Sequence, residues 1–210
     1  MKAAVCHEFG KPLVIEDVIL DPPQKGEIQV RMVACAVCHS DIHRVRGDFG
    51  GNLPMIAGHE AAGIVEEIGE GVTLVRPGDR VIVSLLRSCG RCFYCQTGQP
   101  HLCEFDFPLA TQNRLHTQRG QPIEQGIKVA GFAERVVVDQ SQAVPMPEDM
   151  PLDRACLLAC GVITGLGAVV NTARVRPGES VVVIGTGGVG LNSIQGAALA
   201  GAYPIIAMDL

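Results

Sequence analysis

The stretch Cys38-His39-Ser40-Asp41-Ile42-His43, followed beyond a glycine-bearing loop by Gly58-His59-Glu60, brings a thiol, imidazoles, a hydroxyl and two carboxylates into one short region. A divalent zinc ion takes sulfur and nitrogen ligands from such a set, and a catalytic zinc keeps one of its four positions open. The working assignment is therefore Cys38 and His59 as zinc ligands, with a third, Cys160, supplied from far along the chain. Taken alone, a cysteine is more often a small buried hydrophobe and a histidine a hydrogen-bonded structural residue. The assignment needs support from the rest of the chain.

The second chemical feature is Cys89-Gly90-Arg91-Cys92-Phe93-Tyr94-Cys95, completed by Cys103. Two residues separate each of the first three cysteines, and four thiolates so spaced can close tetrahedrally on one zinc, leaving no position for substrate. Gln96, Thr97, Gln99 and Glu104 offer these cysteines no apolar surroundings, so four independently buried thiols are the poorer reading.

The third is Gly185-Thr186-Gly187-Gly188-Val189-Gly190. A GxGxxG match alone is weak. Here it follows the apolar run Val181–Ile184 and opens a helical pattern over Leu191–Ala200. After a second strand, Ile205–Met208, it is answered by Asp209. Gly185 permits the tight turn, Gly187 lets the backbone approach a pyrophosphate, and Gly190 lets the helix pack close to the strand, with Gly188 counted in the same cofactor-binding turn. The helix N-terminus offers free N–H groups and partial positive charge to phosphate. Asp209 would accept hydrogen bonds from ribose hydroxyls and repel a 2′-phosphate, which favours NAD. The plainer alternative is a glycine-rich turn that binds nothing.

The elements that must hold these groups can be read more coarsely. Residues 2–5, 13–18, 27–34, 60–68, 79–84, 131–139 and 143–145 read as short strands separated by Gly and Pro turns, the pattern of a partly closed β-barrel. Ser40–Arg46 reads as a short helix stopped by Gly47, and residues 104–128 as a surface loop without periodicity. A helical pattern begins after Pro151, breaks near Cys160-Gly161 and resumes from Gly161 to Arg174. The domain boundary is expected at 150/151, with a β-domain before it and linking helices plus a βαβ unit after it.

Composition narrows the function. A formal charge of −5 without a basic cluster argues against nucleic acid. No run is long and apolar enough for a membrane span, and the first residues have no secretory h-region. Nine cysteines in a chain without that signal suit metal ligation in a reducing, cytoplasmic setting. Trp is absent and aromatics are few, so Val, Ile, Ala and Gly must make the core.

Together these pieces resemble the zinc-dependent medium-chain alcohol dehydrogenase family. The resemblance rests on Cys38 with Ser40-Asp41 and His43, Gly58-His59-Glu60, the four-cysteine lobe, Ala159-Cys160-Gly161 before Thr164-Gly165, and the glycine fingerprint with Asp209. It implies a GroES-like catalytic domain followed by a Rossmann cofactor domain. It also implies two zinc ions, NAD, a small alcohol, aldehyde or ketone as substrate, and a homo-oligomer. Cys38, His59 and Cys160 would hold the catalytic zinc, and Cys89, Cys92, Cys95 and Cys103 the structural one. Ser40 would bind the substrate hydroxyl and pass its proton towards His43. Asp41 would orient His59, and Glu60 would stand behind the metal as an outer carboxylate able to exchange as a ligand. His39 would reach the pyrophosphate, with Thr164 and Val189 against the nicotinamide.

Two departures qualify the resemblance. Family chains run on through further Rossmann strands, so this chain reads as a fragment expected to be inactive alone. Against the glutathione-dependent formaldehyde dehydrogenase branch, Phe49 is apolar where an acid is expected, and Glu104-Phe105-Asp106 follows Cys103 where an arginine is expected. That implies an ordinary apolar pocket with Phe49 and Leu85 in its wall. The rival readings are a related zinc enzyme (a polyol dehydrogenase, or a formaldehyde dehydrogenase or dismutase) and a non-enzymatic zinc-lobe protein. The latter leaves Cys38, His59, Cys160 and the fingerprint unexplained.

Overall fold

Short Val-, Ile- and Ala-rich segments punctuated by glycine form twelve strands in three sheets in the computed structural model, which describes residues 1–210. The chain divides into two units, Met1–Cys156 and Leu157–Leu210.

The first unit runs β1 (Lys2–Cys6), β2 (Val14–Leu20), β3 (Glu27–Ala36), α1 (His39–Arg46), β4 (Met55–Ile56), β5 (Glu60–Ile68), β6 (Arg80–Val83) and α2 (Phe93–Gln96). It continues through β7 (Leu115–Thr117), β8 (Glu124–Gln125), β9 (Arg135–Asp139), β10 (Ala143–Pro145) and α3 (Leu152–Ala155). One five-stranded sheet has the order β7-β2-β1-β4-β8 and the other β10-β6-β5-β3-β9, so the unit is a barrel-like pair of sheets. Within this unit only β4 and β8 pair in parallel. Ile28, Val30, Val65, Val81, Val83, Val136 and Val138 make one buried cluster, and Val5, Val18, Ile56, Leu115 and Ile123 another. β-Branched side chains on a pleated surface account for this core without tryptophan.

The reading of 104–128 as a surface loop is corrected. Phe107, Leu109, Leu115 and Ile123 are buried, and β7 and β8 extend the first sheet. Strands of two or three residues are too short to show a period of two. Their anchor is a bidentate ion pair: Arg114 Nη2 donates to Glu27 Oε1 at 2.7 Å and Nε to Oε2 at 2.9 Å, with both residues buried. The strand expected over 131–139 begins only at Arg135, because Gly131 and Phe132 donate instead to the Gly58 and Ala57 carbonyls.

The second unit holds α4 (Gly161–Gly167), continued by a π-helical turn over Ala168–Ala173, then β11 (Val181–Ile184), α5 (Gly188–Leu199) and β12 (Ile205–Met208). β11 and β12 pair in parallel, from Val181 against Ile205 to Ile184 against Met208. α5 starts at Gly188, earlier than the residue types suggest, since glycine is a poor helix former. α4 and α5 approach closely at Gly165, where an added Cβ would lie 2.4 Å from the Val189 carbonyl oxygen. No single helix in the chain is long and apolar enough to cross a membrane.

Candidate metal and cofactor sites

β3 and β5 are antiparallel neighbours, and their pairing ends with Ala36 opposite Glu60. Cys38 lies just past the end of β3 and His59 just before the start of β5, so the ladder brings together two residues distant in sequence. The turn into His59 requires Gly58: its φ is +95°, and an added Cβ would sit 2.7 Å from the Phe132 backbone nitrogen.

Asp41 ties this corner together. Its Oδ2 accepts from the Cys38 N–H at 3.0 Å, capping α1, while Oδ1 accepts from the Gly58 N–H at 2.9 Å and from His59 Nδ1 at 2.9 Å. Asp41 is 2% exposed and His59 1%, so water does not compete for these bonds. A carboxylate only accepts, hence the ring proton is on Nδ1 and the Nε2 lone pair is available. Ser40 Oγ lies 3.3 Å from that Nε2 and 3.1 Å from Cys38 Sγ. One hydroxyl proton thus faces two electron-pair donors. Cys38 Sγ, a His59 ring nitrogen and a Glu60 carboxylate oxygen fall within 4.8 Å of one another. Converging sulfur, nitrogen and oxygen lone pairs at a buried point fit a zinc ion, and the Asp41–His59 bond is the kind that fixes a metal-ligating ring.

His39 and His43 share α1 with Ser40. Their ring centroids are 4.7 Å apart, His39 is exposed, and His43 stacks on Phe49 at 5.3 Å. His43 Nδ1 bonds Asp48 Oδ2 at 2.6 Å, a partner that residue types alone did not reveal. α1 stops at Gly47, with φ of +88° and the Phe9 ring 2.8 Å from where a Cβ would be. Phe49 is 58% exposed, while Leu85 packs on the β-core. Cys35 also lies against that core on β3, and burial pushes its thiol up to about 12. Cys6 and Cys156 are buried as well.

In the second cysteine group, Sγ of Cys89, Cys92, Cys95 and Cys103 all lie within 4.8 Å of one another. Cys92 and Cys103 sulfurs are 3.9 Å apart; sulfurs about 2.3 Å from a shared tetrahedral centre would be about 3.8 Å apart. Backbone N–H groups aim at the sulfurs, Cys92 N at Cys89 Sγ and Cys89 N at Cys103 Sγ, each at 3.3 Å. Donation from the Cys95 and Glu104 N–H groups pulls the Cys92 thiol down to about 6, whereas desolvation pushes Cys95 up to about 11. Four sulfurs this close can all be thiolates only around a cation, so the donor set fits zinc.

In the second unit, Cys160 precedes α4 with its sulfur 3.9 Å from Thr164 Oγ1. In the glycine turn Gly185 has φ of +90°, and an added Cβ at Gly190 would lie 1.8 Å from the Gly185 carbonyl oxygen. Gly187 and Gly188 differ: a Cβ there meets nothing within 4 Å, and neither has a left-handed φ. The fold itself does not demand glycine at these two positions, which fits a cradle left open for a phosphate group. Val189 follows on the first turn of α5, partly exposed. Asp209, at the end of β12, accepts from the Thr186 N–H at 2.7 Å and from its hydroxyl, which hold its carboxyl below the usual range. Thr186 was not singled out by its residue type, and the Asp209 bonds are what give it a role.

The Alcohol dehydrogenase GroES-like domain model matches residues 24–148. The chain is 40% identical over 213 residues to an NDMA-dependent alcohol dehydrogenase of Amycolatopsis methanolica, spanning 99% of this chain and 57% of that protein. It is 44% identical over 217 residues to an alcohol dehydrogenase class-3 of Pisum sativum, spanning 100% of this chain and 57% of that protein. Among solved structures, an alcohol dehydrogenase zinc-binding domain protein from Burkholderia ambifaria superposes with a TM-score of 0.91 at 33% identity, covering 98% of this chain and 58% of that one. Benzyl alcohol dehydrogenase from Acinetobacter calcoaceticus gives 0.87 at 32% identity, covering 100% and 58%. The chain thus spans a little over half the length of these relatives. Its first unit is a GroES-like, partly open barrel, and its second is a βαβ unit of the Rossmann kind. With the barrel order, the cysteine groups and the fingerprint all in place, the chain belongs to the alcohol dehydrogenase GroES-like domain family.

Proposed function

We propose that the protein carrying this chain is a zinc-dependent alcohol dehydrogenase, moving hydride between a primary or secondary alcohol and NAD. The observation that carries the reading is the buried corner where Ser40 Oγ faces Cys38 Sγ and His59 Nε2 while Asp41 fixes the imidazole. In this reading residues 1–150 form the catalytic domain and 151–210 the linking helices and cofactor unit. Cys38, His59 and Cys160 hold one zinc with Glu60 behind it, and Cys89, Cys92, Cys95 and Cys103 hold a second.

When bound, zinc supplies Lewis acidity that makes an alcohol proton easier to lose, and NAD supplies the hydride acceptor. The chain's residues do the rest. Ser40 Oγ borders the ligand position, receives the substrate proton and passes it towards His43, whose Nδ1 is pinned by Asp48 so that Nε2 is left to take it. Asp41 holds the His59 tautomer that keeps Nε2 basic. Gly185, Gly187, Gly188 and Gly190 shape the turn for the pyrophosphate, with His39 reaching the same group and Val189 and Thr164 bordering the nicotinamide. Asp209 takes the ribose hydroxyls.

The test is NAD-dependent oxidation of a panel of primary and secondary alcohols by the full-length protein that carries this chain, comparing wild type with Ser40→Ala. We expect turnover in the wild type, a kcat about 10²–10⁴-fold lower in the variant, and unchanged zinc content. No turnover with any alcohol, or full turnover without Ser40, would remove the basis of the proposal.

A further inference from the structure

Apart from both cysteine groups, the first unit carries a cleft of about 780 Å³ lined by none of the residues assigned above to metal or cofactor. Arg44, Arg87 and Lys128 bring three cations to its walls against one carboxylate, Glu124, and Glu124 is already paired with Arg44. Leu109 and Ile127 add apolar surface. A cleft of this size with a few convergent polar groups has the anatomy of a small-molecule site.

Arg87 is the anomaly in it. The residue is only 7% exposed. Its Nε donates to Gln142 Oε1 at 2.7 Å, and its Nη2 to Gln125 Oε1 at 3.1 Å and to the Lys128 carbonyl at 3.3 Å. The Phe107 ring lies 6.0 Å away. Every one of these partners is neutral, and Nη1 donates to none of them. Asp139 and Glu27 act on the guanidinium only through space, and burial pulls its pKa down. Buried cations are ordinarily paired with a carboxylate, so this one has a counter-charge missing.

Two further observations fall on the same walls. Ile127, Lys128 and Ala130 are all held at positive φ, of 49°, 61° and 61°, although none is glycine. The Lys128 carbonyl is clamped in that strained segment by Arg87 Nη2 and by Gln142 Nε2 at 3.0 Å. Backbone strain of this kind persists where surrounding structure enforces it, and it concentrates at ligand sites. Arg44 Nε is buried without a hydrogen-bond partner.

We infer that this cleft binds a small organic carboxylate, with its oxygens on Arg87 Nη1 and Lys128 Nζ and its apolar body against Leu109 and Ile127. Glu124 beside the cations disfavours a dianion, which is why a single carboxylate is the fitting class. The inference is independent of the dehydrogenase reading.

The test is calorimetric titration of the protein at neutral pH with 4-phenylbutyrate and with its uncharged isostere 4-phenylbutanamide. Wild type, Arg87→Gln and Lys128→Gly are compared. Glycine suits the φ at position 128, so Lys128→Gly removes a cation without loss of fold and decides the matter should Arg87→Gln fold poorly. The carboxylate should bind with a dissociation constant below about 1 mM, and the amide and both variants should be weaker by about tenfold or more. Backbone amides at 126–130 should exchange more slowly with the carboxylate bound. Absence of binding up to about 10 mM, equal affinity for the amide, or an affinity unchanged in Lys128→Gly would overturn the inference. Binding abolished by a chelator but indifferent to Lys128→Gly would put the carboxylate on a metal ion and overturn it too.

Discussion

In the lobe from Cys89 to Cys103 the outermost sulfurs are 14 positions apart in sequence, and backbone N–H groups and one short helix bring them together. At the Cys38–His59 corner, by contrast, the two candidate ligands come from the facing ends of two paired strands, and a buried carboxylate 18 positions from His59 orients the ring. The lobe's cysteines are only partly buried and the lobe adds no residue to either core cluster, whereas His59 and Asp41 are almost wholly enclosed. On the proposed reading the lobe would depend on its ion for its own folding, whereas the corner is held together by the protein's own hydrogen bonds. In the proposed function that contrast would separate a structural site from a working one, since an open coordination position is useful only on a frame that the ion does not have to hold up.

The largest effect that could break this contrast concerns the lobe. Cys92→Ser should release its metal and unfold residues 89–103 locally, because structural zinc contributes about 10–16 kcal/mol in small domains. Limited proteolysis should then cut within the lobe while β1–β10 stay intact. Equal resistance in wild type and variant would place the lobe's stability elsewhere. Next in size is Asp41→Ala, which leaves the Cys38 and Gly58 N–H groups and His59 Nδ1 without their acceptor. We expect a loss of about 3–5 kcal/mol in denaturant unfolding, with weaker metal binding at the corner only. Asp41→Asn keeps an acceptor and should cost metal affinity about 10–100-fold with a smaller loss of stability.

The smallest effects lie in the second unit. Asp209→Gly should shift cofactor preference from NAD towards NADP in steady-state kinetics, and an unmodified protein that prefers NADP would refute the role given to Asp209. The Asp209 carboxyl titrates below its ordinary value because Thr186 donates to it. Its contribution to the glycine turn is thus fully present above the ordinary Asp range and is lost as pH falls through the lower folded value. The Thr186 amide resonance should stay constant from neutral pH down through mildly acidic pH and move only below that range.

Much of this was legible in the residues. Cysteine spacing placed the lobe, and a strand–glycine–helix–strand pattern placed the glycine turn between β11 and α5, because both depend on neighbours in sequence. What could not be read was whatever depends on strand pairing. The pairing of Cys38 with His59 was read from residue types, but the β3–β5 register that produces it was not, and β7 and β8 are too short to show alternation. The Glu27–Arg114 pair joins residues 87 positions apart, and the clamp on Lys128 by Arg87 and Gln142 is likewise tertiary. Neither has any local signature.

Elemental analysis of tightly bound zinc in three versions of the protein tests the central claim, that these are two metal sites of different construction. Wild type should hold two zinc ions per chain. Cys92→Ser should hold one and show the local unfolding of the lobe, and His59→Ala should hold one and still fold cooperatively, at reduced stability because the buried Asp41 carboxylate loses its partner. A wild type with a single zinc, retained in Cys92→Ser and lost together with the fold in His59→Ala, would contradict the account.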